Sequence, residues 1–251
     1  MSTSRPAKAG YHHGELREAL VAAGLAILEE GGDPASLGLR EAARRAGVSA
    51  MAPYRHFSDK DALLAAVATV GFERLRVDLE AADRRVSPPP CGEEPEVGVV
   101  QDEAKAVPPA PPPPRTPPHK GEGTRAGSGV VETAAADSRA GQAALIAQGV
   151  AYVGFAAANP GLFRLMFRSC SAAPPEALAQ ASSAAFGVLA ARVATQVPAE
   201  HAADEALRCW ALVHGMAVLA LDGLFGAKLR ENRPAVVALA ERLLALDARG
   251  R

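Results

Sequence analysis

Between residues 14 and 30 apolar side chains recur every three or four positions. Leu16, Leu20, Ala23 and Ile27 share one face, the spacing of a helix laid against a core. Gly31-Gly32-Asp33-Pro34 ends it. A shorter helix is predicted over residues 39–46, where Ala42, Ala43 and Ala46 are small enough for another helix to cross closely. Gly38 stands at its N-cap, where it costs only a few tenths of a kcal/mol relative to Ser or Thr. Gly47 is free to take positive φ in a tight turn. Val48 fits the space between helices, and the Ser49 hydroxyl is placed to cap a third helix predicted over residues 50–57. Phe57 reads as core. Pro53 removes one hydrogen bond early in that third helix, within its first turn and a half, and the helix is expected to survive with local strain.

Ser58, with Asp61 three residues on, predicts a cap for a fourth helix carrying Val67, Val70, Leu75 and Leu79. The pattern then collapses: twelve of the twenty prolines lie between Pro88 and Pro118, a composition that excludes a helix and favours extended, solvated chain. Helical spacing resumes near Ser138 with Leu145, Val150, Val153 and Ala157 and stops at Asn159-Pro160. Further helices are predicted over 162–167, 176–196 and 202–225. A last one is capped by Asn232, with Pro234 in its first turn and Val236, Val237, Leu239, Leu243 and Leu246 for packing. No segment has strand periodicity. The prediction is an all-α chain of about nine helices: a three-helix head at 1–60, a connecting helix at 61–85, a disordered Pro-rich linker at 86–130 and a C-terminal bundle at 131–251.

Charge alone would not suggest a polyanionic partner. The net charge is −1, and residues 1–60 hold eight Lys or Arg against seven acids. Any nucleic-acid affinity must rest on the placement of a few cations. Cys91, Cys170 and Cys209 are far apart and lack metal-ligand spacing, which fits a reduced cytoplasmic setting. The N-terminus has no secretory pattern. The most apolar run, residues 209–225, is short for a membrane span and contains His214 and Asp222, so it reads as a buried helix and no membrane association is expected. No paired carboxylates, nucleophile-base set, phosphate-cradling loop or metal cluster is visible, so neither catalysis nor a cofactor or metal is predicted.

The head has the form of a helix-turn-helix. Arg-Glu-Ala-Ala-Arg-Arg-Ala-Gly-Val-Ser from Arg40, followed by Ala-Pro-Tyr-Arg-His-Phe and Asp-Lys-Asp-Ala-Leu-Leu, resembles the DNA-binding domain of the TetR family of bacterial transcriptional regulators. Trp210 with Leu212-Val213-His214-Gly215 resembles the Trp-His-Gly element of one C-terminal subgroup. Tyr11-His12-His13-Gly14-Glu15-Leu16 and residues 159–167 point to the same subgroup. The resemblance implies a homodimer, formed by helices 202–225 and 232–246, that binds a palindromic double-stranded operator, most often as a repressor. Carried onto this chain, it makes Arg40 a base or phosphate contact and Arg55 a bidentate guanine contact. It places Ala50 and Ala52 against thymine methyls, Tyr54 and His56 on phosphates, and Lys60 at the backbone, with Ser49 on the same surface. Tyr11, His12 and His13 are candidates for similar work. Arg44 and Arg45 read as solvated charges.

The resemblance also implies a small-molecule effector in the C-terminal bundle. Candidate lining residues are Tyr152, Phe155, Phe163, Met166, Phe167, Phe186, Trp210 and His214, although most residues at such spacing are simply core. His214, one helical turn after Trp210, suits a hydrogen-bonded packing role better than a ligand contact, and Gly215 suits close helix approach. Competing readings are a regulator controlled by a protein docked on the Pro-rich segment, an all-α enzyme, and a sequence-blind DNA-coating protein. The weak basic balance speaks against the last of these.

Overall fold

A computed structural model describes residues 13–31, 33–86, 128–168, 174–226, 229 and 232–249. Among them lie eight α-helices, one 3-10 turn and no strand. The helices are α1 (His13–Glu29), α2 (Leu39–Arg45), α3 (Lys60–Val86), α4 (Ser128–Ala158), α5 (Pro160–Met166), α6 (Glu176–Ala194), α7 (Ala199–Leu221) and α8 (Arg233–Arg249), and the 3-10 turn is Ala52–Arg55. The all-α expectation holds. The expected Pro-rich linker falls outside the described residues except at its ends, and α4 begins earlier than Ser138.

The head follows from its punctuation. Gly31, at φ +85°, closes α1. Gly47, at φ +68°, closes α2 in a Schellman turn: its N–H bonds Arg44 O and the N–H of Val48 reaches Ala43 O. Ala42 and Ala43 are fully buried beneath that turn, and Ala42 belongs to the core that holds Leu20, Leu37, Phe57 and Leu63.

The third helix is shorter than predicted. Pro53 has no N–H to give to Ser49 O, and Ala52 N–H takes that carbonyl instead at 2.9 Å. The segment therefore tightens into the four-residue 3-10 turn. Ser49 shapes it through its backbone carbonyl, and no side-chain cap bond forms at the turn's own N-cap, Met51. The cap of α3 is likewise Asp59 rather than Ser58: Asp59 Oδ1 accepts Ala62 N–H at 2.8 Å, while Ser58 Oγ donates to the other oxygen.

Helix α3 serves both halves. Leu63, Leu64 and Val67 pack in the head, and Phe72, Leu75 and Leu79 in the body, so one core runs without a break from Leu20 to Leu244. The body wraps α4, which touches α3, α6, α7 and α8. Close crossings need glycine at several points, two of them in the body. A β-carbon on Gly71 would meet Met166 of α5 at 2.7 Å, and one on Gly149 would meet Leu244 of α8 at 2.7 Å. Asn159-Pro160 separates α4 from α5, and the Asn232 side chain caps α8 through Ala235 N–H. The apolar helix predicted over 202–225 is α7, which starts earlier and ends at Leu221. By length and composition, Ala136–Ala158 and Glu176–Ala194 are apolar enough to cross a membrane, but half of the first span is buried within the bundle.

Candidate nucleic-acid interface and ligand cavity

On the head, the Schellman turn and the 3-10 turn project a small set of side chains. Ser49, Ala50, Tyr54 and Arg55 are exposed, and Ala52 and His56 are half-buried. Arg40, Tyr54 and Lys60 come together around one shallow groove, bordered also by Gly38, Ser58 and Asp59. Ser49, Ala50, Ala52, Arg55 and His56 sit outside that groove, on and beside the turn. Lys60 is already engaged, its Nζ donating to Ala35 O at 2.7 Å, although an ammonium keeps further protons for a phosphate. The side chains of Tyr11, His12 and His13 lie outside the described residues.

The neighbouring cations are spent on acids. Arg44 grips Glu41 with two bonds of 2.6 and 2.8 Å, and Arg45 bridges Glu41 and Glu30. The Arg44 and Arg45 guanidinium groups hold the Glu41 carboxyl at about 2, well below the usual carboxylate range. Arg40 and Arg55 have no such partner among the described residues. They are the cations of the motif left available to an outside ligand. Sequence reasoning passed over Met51, 71% exposed at the head of the turn. An apolar side chain between a cap serine and a 3-10 turn was its only signal.

The body holds a half-open cavity of about 500 Å³. Its walls are Phe72, Leu75 and Leu79 of α3, Leu145, Ile146, Gln148 and Tyr152 of α4, Phe167, Ala185, Phe186 and Leu189, Trp210 and Val213 of α7, and Leu244 of α8. Of the eight residues predicted to line it, Tyr152, Phe167, Phe186 and Trp210 do so. Phe155, Phe163 and Met166 are buried core instead, turned onto neighbouring helices, and Met166 fills the hollow over Gly71.

His214 also stands behind the wall. Its ring stacks on Phe163 at 5.6 Å and lies 5.3 Å from Trp210, and its Nδ1 is 2.8 Å from the Tyr152 hydroxyl. Burial lowers the His214 pKa and raises that of Tyr152, so near neutrality both are uncharged and share one hydrogen bond. The pair orients Tyr152 at the cavity. Gly215 packs on nothing within the protomer.

A polar cluster abuts the same cavity. Asp83 at the end of α3 receives two hydrogen bonds from Arg192 of α6, at 2.8 and 2.5 Å, and one from Gln148 Nε2 at 2.7 Å. The Arg192 guanidinium holds the Asp83 carboxyl below its ordinary range. Gln148 is 2% exposed, and its Oε1 has no partner. An unmatched buried acceptor of this kind costs about 1–3 kcal/mol. Sequence reasoning missed Gln148 and the three α3 residues, since nothing in helical spacing distinguishes a residue facing a void from one facing another helix.

Two family models match, one for each half of the molecule. The bacterial regulatory proteins of the tetR family match over residues 20–67, and the tetracyclin repressor-like C-terminal domain over residues 145–245. The chain belongs to the TetR family. It is a DNA-binding transcriptional regulator with a helix-turn-helix head, and its C-terminal match is compatible with the Trp-His-Gly resemblance. A solved structure of a protein of unknown function from Rhodococcus sp. RHA1 is similar throughout. It is 29% identical, with a TM-score of 0.61, and the match covers 97% of this chain and 98% of that one. No curated protein matches. The TetR head match contains the groove and the turn, and the C-terminal match contains most of the cavity wall from α4 to α8.

Proposed function

We propose that this TetR regulator is a cytoplasmic homodimeric repressor that grips a palindromic operator and leaves it when a small apolar molecule fills the cavity. The observation carrying this reading is the double duty of α3. Its first residue, Lys60, borders the head groove, while Phe72, Leu75 and Leu79 form a cavity wall. A ligand that prefers one tilt of α3 changes where the head sits, and operator affinity falls by the difference in its affinity for the two arrangements.

At the operator, Arg55 is the candidate for a bidentate guanine contact, Ala50 and Ala52 for thymine methyls, and Arg40, Tyr54, His56 and Lys60 for phosphates. Two heads are needed to span successive major grooves. Two exposed helix faces support a second copy. On α7, Ala211, Gly215, Val218 and Leu219 make an outward small and apolar face, and on α8 Leu239, Leu243 and Leu246 do the same. Pairing these four helices about a two-fold axis covers both stripes.

A reporter placed behind the recovered operator tests the scheme. The protein is expected to lower expression, and an effector to restore it. Ser182→Phe, which fills the cavity, should keep repression and lose induction. Induction unchanged by that substitution would contradict the cavity reading, and expression raised by the protein would make it an activator.

A further inference from the structure

Arg44, Arg45 and Arg74 are paired with Glu41, Glu30 and Glu29, whereas Arg17 of α1, like Arg40 and Arg55, has no acidic partner among the described residues. Arg17 is exposed, yet its guanidinium is not loose. Its central carbon lies over the Phe57 ring, 5.5 Å from the centroid and within cation–π reach. Phe57 is 3% exposed and closely follows the recognition turn, its N–H donating to Pro53 O at 2.9 Å. The turn therefore fixes the ring, and the ring holds the cation. In this way α1 delivers a positive charge to the foot of the segment that carries Arg55 and His56.

An arginine held by its face keeps its N–H groups, which lie in the guanidinium plane, for an anion at its edge. Holding it beforehand also removes part of the entropy that a long side chain loses on binding. Arg17 lies outside the shallow groove of Arg40, Tyr54 and Lys60, and outside the matched head family, which begins at residue 20. The groove is bordered by the start of α2, the turn and the start of α3, so Arg17 brings a further element to the turn. A segment that enters a major groove has a phosphate backbone on either flank, and cations on separate elements can meet both. We propose that Arg17 is a phosphate anchor: its guanidinium edge binds a DNA backbone phosphate while its face rests on Phe57, so α1 joins the turn and the groove in gripping the duplex. The contact requires a DNA-binding head and is independent of the effector and of repression. Made to the backbone, it adds affinity without adding sequence preference.

Two labelled duplexes, the recovered operator and a scrambled sequence of the same length, are titrated with protein between about 50 and 200 mM salt. Arg17→Gln, checked for an intact cooperative melt, should weaken both by a similar factor, roughly tenfold, and lower the slope of log K against log salt by about 0.9 for each bound head. Arg17→Lys, which keeps the charge, should keep the slope. Should the glutamine variant fail to fold, the wild-type protein still decides: phenylglyoxal labelling of arginines, read by mass spectrometry, should show Arg17 shielded by the operator as Arg55 is. An unchanged slope in folded Arg17→Gln, or Arg17 labelled equally with and without operator while Arg55 is shielded, would overturn the anchor and leave the DNA-binding head standing. A loss confined to the operator would make Arg17 a base contact and overturn it too. If neither duplex binds the wild-type protein, the DNA-binding head and the anchor fall together.

Discussion

Arg44 and Arg55 illustrate how much a single residue's surroundings decide. Both are arginines of the same motif, yet Arg44 is held by Glu41, whereas Arg55 stands exposed on the turn. Arg55→Ala should lose about 1–3 kcal/mol of discrimination at one base pair, while Arg44→Ala leaves the preferred site unchanged, as read by binding to single-base operator variants. His214 supports a second prediction. Burial sets its folded pKa below the ordinary 6.5, so the unfolded chain takes up its proton first as pH falls. The stability of the neutral ring is thus full above about pH 6.5 and declines as pH drops through that value toward the folded pKa. Urea midpoints of the wild-type protein should fall over this window relative to those of His214→Phe, and parallel curves would refute the buried neutral pair. At this scale the sequence was legible where chemistry is local. Gly47 announced its turn, but the orphaned oxygen of Gln148 depends on where α3 and α6 bring Asp83 and Arg192, which no pattern within α4 records.

Among the elements, glycine separates crossings that are tight from faces that are open. A β-carbon at Gly24 in α1 would meet Cγ2 of Val67 at 2.8 Å, and a β-branched side chain has little freedom to yield. Gly24→Ala is expected to destabilise by about 1 kcal/mol or more despite alanine's better helix propensity. Gly187 in α6 has open space, and there the same substitution should stabilise by up to ~1 kcal/mol. Chemical unfolding of both variants checks the contrast in sign. Gly38 sits at the N-cap of α2 in extended conformation, φ −147°, with nothing near it, so Gly38→Ser should gain roughly 0.5 kcal/mol. Helix positions were legible from periodicity and stop signals such as Asn159-Pro160 and Asn232. The recognition segment is shorter than its pattern predicts because the missing Pro53 N–H shifts the bonding of the turn. Periodicity puts Phe155, Phe163 and Met166 on inward faces without saying what stands opposite them, and other helices stand there rather than the cavity.

For the whole molecule, the Asp83 cluster is where α3, α4 and α6 meet, at the far end of the helix that starts in the head. Its carboxyl is shifted down, so its contribution to stability is present above the ordinary aspartate pKa of 3.8 and is lost as pH falls below it. The difference in stability between wild type and Asp83→Asn should therefore shrink in acid, and the variant should show weaker coupling between cavity occupancy and operator affinity. The uncovered faces of α7 and α8 predict a dimer in sedimentation at micromolar concentration, and Val218→Glu should shift it toward monomer. The head was legible through a long motif, the body through helical spacing, and the helix that connects them through the stripe from Val67 to Leu79, whereas the merging of their two cores along α3 was not, because periodicity does not say what packs against that stripe.

Control through the body presupposes a head that reads a specific palindrome. The most direct test is selection of bound fragments from the source genome by the purified protein, beside a variant carrying Tyr54→Ala and Arg55→Ala. The expected result is one palindromic motif recovered by the wild-type protein and lost by the folded variant. Sequence-blind recovery, or no recovery by a folded dimer, would contradict it.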